Sequence, residues 1–412
     1  DLTATKITEH EDHVTEAAND KLLKVAAIYG ANASGKSNVY DAFEYMTYYV
    51  DESFKFGDEE ERRRKSGDSY QKVTPFLFDG NSRNEETTFE VFYVDNSENT
   101  GKTYQYGFSL KKDEVVEEWL YSKAKTARNK YRTIFYRKKG EELEMNGFSK
   151  NHVENIKASL NKESLIVSLG SKLRIAKLKK VRDWFLSNEI VNFGDPAENF
   201  FLSRVLPEGF VDRKEVQNNV VEYFASFDEA IQDFNIEELP QEDEKDNSKS
   251  YKIDALHKMG NSGEMVSIPL KQESSGTLKM FALYPSLKEV LDQGSMLFID
   301  ELNARLHPLL VRNIILTFLS PEINTRNAQL IFTTHDIWQF SNELLRRDEI
   351  WMVNKNRDGV SELYSLVEFK DEDGNKVRRD EALAKNYLIG NYGAIPALKP
   401  MKMLKGRTAD DK

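Results

Sequence analysis

Apolar positions along the chain follow two different periods, and the changes between them divide it into sections. Lys24 to Tyr29 reads KVAAIY, a short apolar run closed by Gly30, and from Val39 to Val50 the apolar residues recur at helical spacing. This predicts strand, loop, helix. Residues 56–72 are charged, carry GDEEERRRKSGD, and read as a mobile, solvated insertion. Phe89 to Val94 and Thr103 to Lys111 alternate apolar and polar residues on either side of the turn-like DNSENTGK, which predicts an antiparallel meander. From about Asn151 to Phe234 the period becomes helical, with Leu160, Leu165, Ile166, Leu169, Leu178, Val181 and Phe185 at three- and four-residue steps. Leu239 to Tyr251 contains PQEDEKDNSKS, a polar connection. Buried strands return at Met296 to Ile299 and Leu330 to Thr333, each beside a helical pattern. The expected fold class is α/β, with halves at 1–110 and 251–395, a largely helical inserted lid at 111–250, and a tail at 396–412.

Composition narrows the function classes. The chain has 412 residues, 39% of them hydrophobic, enough to bury a large core in two or three domains. With 58 Lys and Arg against 69 Asp and Glu the formal charge is −11, which argues against a protein coated in nucleic acid while leaving a local basic strip open. The absence of cysteine removes disulfides, cysteine-ligated zinc and thiol catalysis, and agrees with a cytoplasmic location. Apolar runs such as Ser295 to Ile299 and Ala328 to Phe332 fall far short of the roughly 20 residues a membrane helix needs, so no membrane partner is expected. There is no signal-peptide pattern at the start, and Asp1 in place of Met leads us to expect a trimmed native N-terminal piece.

Four short segments carry candidate chemistry. Gly30 to Ser37 reads GANASGKS and fits G-x-x-x-x-G-K-[ST] between a buried strand and a helix, the context that pattern requires. Backbone N–H groups of Gly30, Ala31, Asn32, Ala33, Ser34 and Gly35 would curl around phosphates, with Asn38 closing the candidate loop. Lys36 would reach the β- and γ-phosphates of ATP, and Ser37 would ligate Mg²⁺. Met296 to Glu301 reads MLFIDE, an apolar strand ending in two carboxylates: Asp300 for the Mg²⁺ shell and Glu301 to polarise the attacking water. Leu330 to Asp336 reads LIFTTHD, and His335 at that strand end would contact the γ-phosphate or the water. Glu273 to Thr277 reads ESSGT ahead of a helical pattern, so Ser274, Ser275 and Gly276 form either an N-cap or an anion-binding helix end.

In the order GANASGKSN, ESSGT, LFIDELNARLHP and FTTHD, these segments resemble the Walker A, signature, Walker B and switch-histidine motifs of ABC ATPases of the SMC and RecF type. More narrowly, DELxxxLHP, ESSGT and the closing YLIGNYGAIP resemble the stand-alone AAA-family ATPases of bacteria related to OLD-family proteins, frequently encoded beside an effector in anti-phage or abortive-infection operons. The resemblance covers about residues 20–110 and 250–395. It implies an ABC-type P-loop ATPase head that binds Mg-ATP in a head-to-tail dimer, with Lys36 and Glu301 from one subunit and Ser275 and Gly276 from the other. It also implies a D-loop position at His307, where transporters carry aspartate, a Q-loop within Gln71 to Phe78, and a base-holding N-terminal strand that would precede Asp1.

The central section lacks long heptad arms, and without cysteine it cannot form a cysteine zinc hook. Lys172, Arg174, Lys177, Lys179, Lys180 and Arg182 interleave with Leu173, Ile175, Leu178 and Val181, which fits an exposed helix face or a surface for nucleic acid or an acidic partner. Tyr121, Tyr131, Phe135 and Tyr136, beside Lys123, Lys125, Arg128, Lys130, Arg132 and Arg137, read as strand residues. No nuclease constellation is visible and the six histidines are scattered, which implies a separate effector protein such as a nuclease. The leading expectation is a regulatory ATPase of a two-gene defence system. A DNA-maintenance ATPase of the RecF or SMC kind, a transporter subunit and a self-contained toxin remain as competing readings.

Overall fold

The computed structural model describes residues 1–18, 20–56, 73–95, 101–112, 114–127, 130–197, 206–227, 229–239, 251–260 and 262–396. Residues 57–72 of the expected insertion at 56–72, with Gln71, and Arg128, residues 240–250 of the polar connection and the tail beyond 396 lie outside the described residues. In chain order the strands are β1 (Val14–Ala17), β2 (Asp20–Leu23), β3 (Val25–Gly30), β4 (Thr87–Asp95), β5 (Lys102–Lys111), β6 (Glu114–Ala124), β7 (Arg132–Lys138), β8 (Glu144–Met145), β9 (Glu189–Asn192), β10 (Ile231–Glu238), β11 (Tyr251–Lys258), β12 (Met265–Pro269), β13 (Met296–Asp300), β14 (Gln329–Thr334), β15 (Ile350–Lys355) and β16 (Ser361–Ser365). The helices are α1 (Lys36–Glu52), α2 (Lys150–Ser159), α3 (Ile166–Lys172), α4 (Ala176–Leu186), α5 (Lys214–Ala225), α6 (Ser275–Gln293), α7 (Pro308–Leu319) and α8 (Leu383–Leu388).

β3 and β13 read as continuous apolar runs because every residue in them is buried, the mark of parallel strands covered on both faces. They belong to a six-stranded sheet of order β16-β15-β3-β14-β13-β9, parallel throughout except for the antiparallel edge strand β16. Because neighbouring strands are distant in sequence, the ends of β3, β13 and β14 meet at one edge although about 300 residues of chain separate the first from the last. One core cluster packs this sheet against α6, α7 and the three-stranded sheet β10-β11-β12, with Phe224, Phe234 and Phe281 in contact. Burying each such ring contributes roughly 1.5–3 kcal/mol.

A second core cluster lies between α1, the five-stranded antiparallel meander β4-β5-β6-β7-β8, and helices α2 to α4. α1 links the second core to a third, smaller cluster of Ile28, Tyr40, Met296, Phe298 and Val353 on the parallel sheet: Tyr40 and Phe43 meet Phe298 of β13, while Phe43 also meets Phe185 of α4. The expected antiparallel meander is present, but it extends past Lys111 through β8, so the expected boundary at 110/111 falls inside β5, within a continuous sheet. The insertion is therefore mixed rather than largely helical. β9 and β10 fall within the section read as helical. β9 is only four residues long, too short to show a period of its own, and it is held by pairing with β13.

Glu118 of β6 ties the insertion together. Its carboxylate, fully buried, accepts the backbone N–H groups of Ile166 (2.7 Å) and Val167 (3.2 Å) at the start of α3 and the Tyr106 hydroxyl (3.1 Å), with Arg137 4.0 Å away. The basic stretch at 172–182 is largely occupied: Lys179 pairs with Asp183, Lys180 with Asp95 and Arg182 with Asp51, while Leu178 and Val181 are buried. This matches the packed, exposed-face reading.

Two histidines expected to be scattered come together with an acid. His10, Asp12 and His13 bring ligand atoms within 4.8 Å of one another. However, His13 is engaged by both oxygens of buried Glu349, His10 contacts the Asn342 carbonyl at 2.6 Å, and the two rings stack. The group fastens the N-terminal segment to the turn before β15, where Arg346 and Arg347 also hold Glu9. Among the described residues no helix is long and apolar enough to cross a membrane.

Candidate functional site

β3 ends at Gly30, and the chain turns through Ala31 to Gly35 into α1. The turn needs glycine at both ends: a Cβ on Gly30 would lie 2.7 Å from the Val353 carbonyl oxygen and from Ser34 Oγ, and Gly35 has φ +104°. Ala33 takes a left-handed φ of 61° between them. Lys36, the first residue of α1, folds its ammonium back onto the loop and donates to the carbonyls of Gly30 (3.0 Å) and Ala31 (3.1 Å). Burial holds this ammonium below its ordinary range, with Glu301 and then Asp300 pulling it back up. Ser34 Oγ is buried with no partner.

The ends of β13 and β14 are wired to that loop. Ser37 donates to Asp300 Oδ2 (2.9 Å), and Thr333 donates to Asp300 Oδ1 (2.5 Å). The same Thr333 hydroxyl accepts the Glu301 backbone N–H (2.9 Å). Glu301 has a left-handed φ of 55°, a conformation that costs a non-glycine residue about 1–2 kcal/mol and that the Thr333 contact helps to hold. Glu301 Oε2 lies 3.0 Å from His335 Nδ1, and Asn303, itself held by Thr334, lies 3.2 Å from His335 Nε2. One oxygen of Glu301 is thus oriented by an imidazole while the residue stays at the edge of open space.

That space is a cleft of ≈ 800 Å³ lined by Asn32, Ala33, Gly35, Lys36, Ser37, Asn38, Glu301 and His335, and also by Phe76, Phe78, Lys355, Gly359, Val360 and Ser361. Its size suits a nucleotide-sized ligand. A second cavity of ≈ 820 Å³ shares Ser37 and Glu301 with the first and adds Asp300, Asp41, Asn192, Asp195 and Arg305. Burial, and secondarily Asp300, raises the Asp41 carboxyl above its ordinary value. The chemistry of these donors fits Mg-ATP. A hydroxyl and a carboxylate at Ser37 and Asp300 are the hard oxygen ligands Mg²⁺ takes. The loop presents backbone N–H groups and the α1 N-terminus to an anion, and Lys36 and the unpartnered Ser34 hydroxyl face the same loop.

Ser274, Ser275 and Gly276 do not line the cleft. Ser274 caps α6, accepting the Thr277 N–H at 3.1 Å, so the N-cap reading holds for it. A Cβ on Gly276 would lie 3.6 Å from the Arg305 carbonyl oxygen, which puts the α6 N-terminus against the loop after Glu301. Lys279, one turn on, donates to the Ala304 carbonyl and stands 3.6 Å over the Phe193 ring. His307 caps α7 through its Nδ1, which accepts the Leu309 N–H at 3.2 Å.

Several lining residues escaped the sequence reading. Asp41 had a signal, since it lies four residues after Ser37 on one helix face. Lys355 and Gly359 to Ser361 had none: they reach the loop only because β15 pairs with β3, and the Ser361 hydroxyl donates to the Ser34 carbonyl at 2.7 Å.

Among solved structures, the recombination mediator protein RecF of the RecFOR pathway in its RecF-ATP form is 13% identical, over 84% of this chain and 93% of that chain, with a TM-score of 0.28. The RecF-ATPrS form is 11% identical, over 84% and 94%, with a TM-score of 0.27. These are weak similarities. No curated protein matches the sequence significantly. The family described as AAA domain, putative AbiEii toxin, Type IV TA system matches residues 25–337, which run from β3 through β14 to the residues just after His335. With that span covering the larger part of the chain and every motif around the cleft, this protein belongs to that family of AAA-domain P-loop ATPases.

Proposed function

We propose that the chain binds Mg-ATP between two copies of itself, hydrolyses it, and uses the resulting closure to control a partner effector in anti-phage defence. One observation carries the reading: the cleft gathers the phosphate loop, Glu301 and His335 but none of Ser274 to Gly276 from the same chain, and Ser37 ties Asp300 to that loop. A helix N-terminus with two serines and a glycine, set beside the loop after Glu301, is then supplied in trans by the second copy. The family's description as a toxin of a type IV toxin–antitoxin system supports a protein partner.

In this mechanism Lys36 exchanges its two carbonyl contacts for phosphate oxygens, and backbone N–H groups of the loop hold the remaining phosphate charge. Ser37 and Asp300 would hold Mg²⁺, which would supply charge neutralisation to the phosphates. Glu301 accepts a proton from the attacking water, and His335, hydrogen-bonded to it, fixes the carboxylate's direction. Ser275 and Gly276 of the second copy add a helix dipole and a hydroxyl where charge builds. Hydrolysis then removes the group that bridges the two copies.

Mixing two inactive variants tests this. Lys36→Ala destroys the loop side of the site, and Gly276→Asp, which has no atom closer than 3.6 Å at its Cβ position, charges the trans side without a clash. A composite site predicts that equal mixing restores phosphate release toward roughly a quarter of wild type, because half the dimers are mixed and each keeps one intact site. A mixture no more active than its components contradicts it. Co-expression with the product of the neighbouring gene should give a complex that Lys36→Ala alters. Steeply salt-dependent DNA binding that requires ATP would instead favour the DNA-maintenance reading.

A further inference from the structure

The cleft has two chemically different ends. One is polar, with Lys36, Ser37, Glu301 and His335; the other is formed by Phe76, Phe78, Lys355 and the turn at Gly359 to Ser361. We propose that this second end is the subsite for the purine base of the bound nucleotide, with Phe78 as the stacking platform. The inference rests on the proposed reading that the cleft takes ATP.

Three observations carry it. Phe78 is 75% exposed although it lines a cleft, so its ring does not fill a core. That ring is nonetheless held in place: a Cβ on Gly359, where φ is +83°, would come within 3.1 Å of it, Lys355 Nζ stands 5.7 Å from its centroid, and Phe76 meets it edge-on at 5.7 Å. Glycine at 359 thus leaves the room the ring occupies, and the rest of the ring faces open space. A base can stack on such a face whatever its hydrogen-bonding edge, and the nearby cation strengthens the contact. Finally, the platform is tied to the phosphate loop, because Ser361 closes the turn that carries Gly359 and donates to the Ser34 carbonyl at 2.7 Å. Base and triphosphate would therefore be gripped by one connected surface.

The test is calorimetric titration of wild type, Phe78→Ala and Phe78→Trp with Mg-ATP and with inorganic tripolyphosphate, which has the phosphates but no base. Because Phe78 is exposed, its truncation leaves the core intact. Phe78→Ala is expected to weaken ATP binding roughly 5- to 150-fold, the range of aromatic–base stacking, while tripolyphosphate binding is unchanged. Phe78→Trp should retain ATP affinity and add a fluorescence change on ATP that tripolyphosphate does not cause. Equal weakening of both ligands by Phe78→Ala, or no effect on ATP, overturns the base subsite alone. Failure of wild type to bind either ligand overturns the ATP reading and this inference with it.

Discussion

Thr333 is the side chain on which the candidate chemistry turns, because one hydroxyl serves both carboxylate residues at the end of β13. Replacing it with valine leaves Asp300 Oδ1 and the Glu301 N–H each without that partner, a loss of about 1–3 kcal/mol for a buried group. We expect Thr333→Val to keep ATP binding near wild type but to lower turnover by roughly 10- to 100-fold, since Glu301 loses its fixed position. Equal losses in binding and turnover would contradict that role. The two acidic and basic anchors should separate in the same way: Lys36→Ala loses nucleotide binding, whereas Glu301→Gln binds ATP and turns it over slowly, as equilibrium binding and phosphate release would report. Lys36 and Ser37, which open α1 just after β3, and Asp300, Glu301 and His335, at or just past the ends of β13 and β14, could be singled out in the sequence because each lies in a local motif beside a short apolar strand. Lys355 and Ser361 were not, because nothing local marks them and only strand order brings them to the loop; Phe78 fell only at the end of the segment that the resemblance implied as a Q-loop.

The start of α3 is fastened to β6 through the Glu118 carboxylate. Burial pushes Glu118 up to about 7 from its ordinary value, against the opposing pull of Arg137 and its hydrogen bonds. A carboxyl whose folded value is raised in this way stabilises the fold fully below its unfolded value of about 4.5, and that contribution is lost as pH rises through about 7. Chemical unfolding across pH 4.5 to 7 should therefore show a falling component of stability that Glu118→Gln removes; an identical slope in wild type and variant would contradict the assignment. Glu118→Ala, which abandons the N–H groups of Ile166 and Val167, should cost about 1–3 kcal/mol per unsatisfied group. β6 alternates well enough for Tyr121 to read as a strand residue, yet the helical period after Asn151 dominated the reading of 111–250 and hid β9 and β10. Short strands without a period of their own are visible only through their partners.

The molecule as a whole presents a cleft that the α6 N-terminus of its own chain does not line. The parallel sheet brings the phosphate loop, both carboxylates and His335 to one edge, while the α6 N-terminus with Ser274 to Gly276 faces the loop after Glu301 and not the cleft. In the proposed mechanism a second copy closes the cleft, and the lifetime of the closed state is set by hydrolysis. Nothing in the sequence periodicity disclosed that separation; the motif order suggested it only through resemblance. The most direct measurement is size-exclusion light scattering of Glu301→Gln, which should retain nucleotide without consuming it, with and without Mg-ATP. A mass that doubles only when Mg-ATP is present is the predicted result, and a monomer under both conditions would contradict closure between two copies.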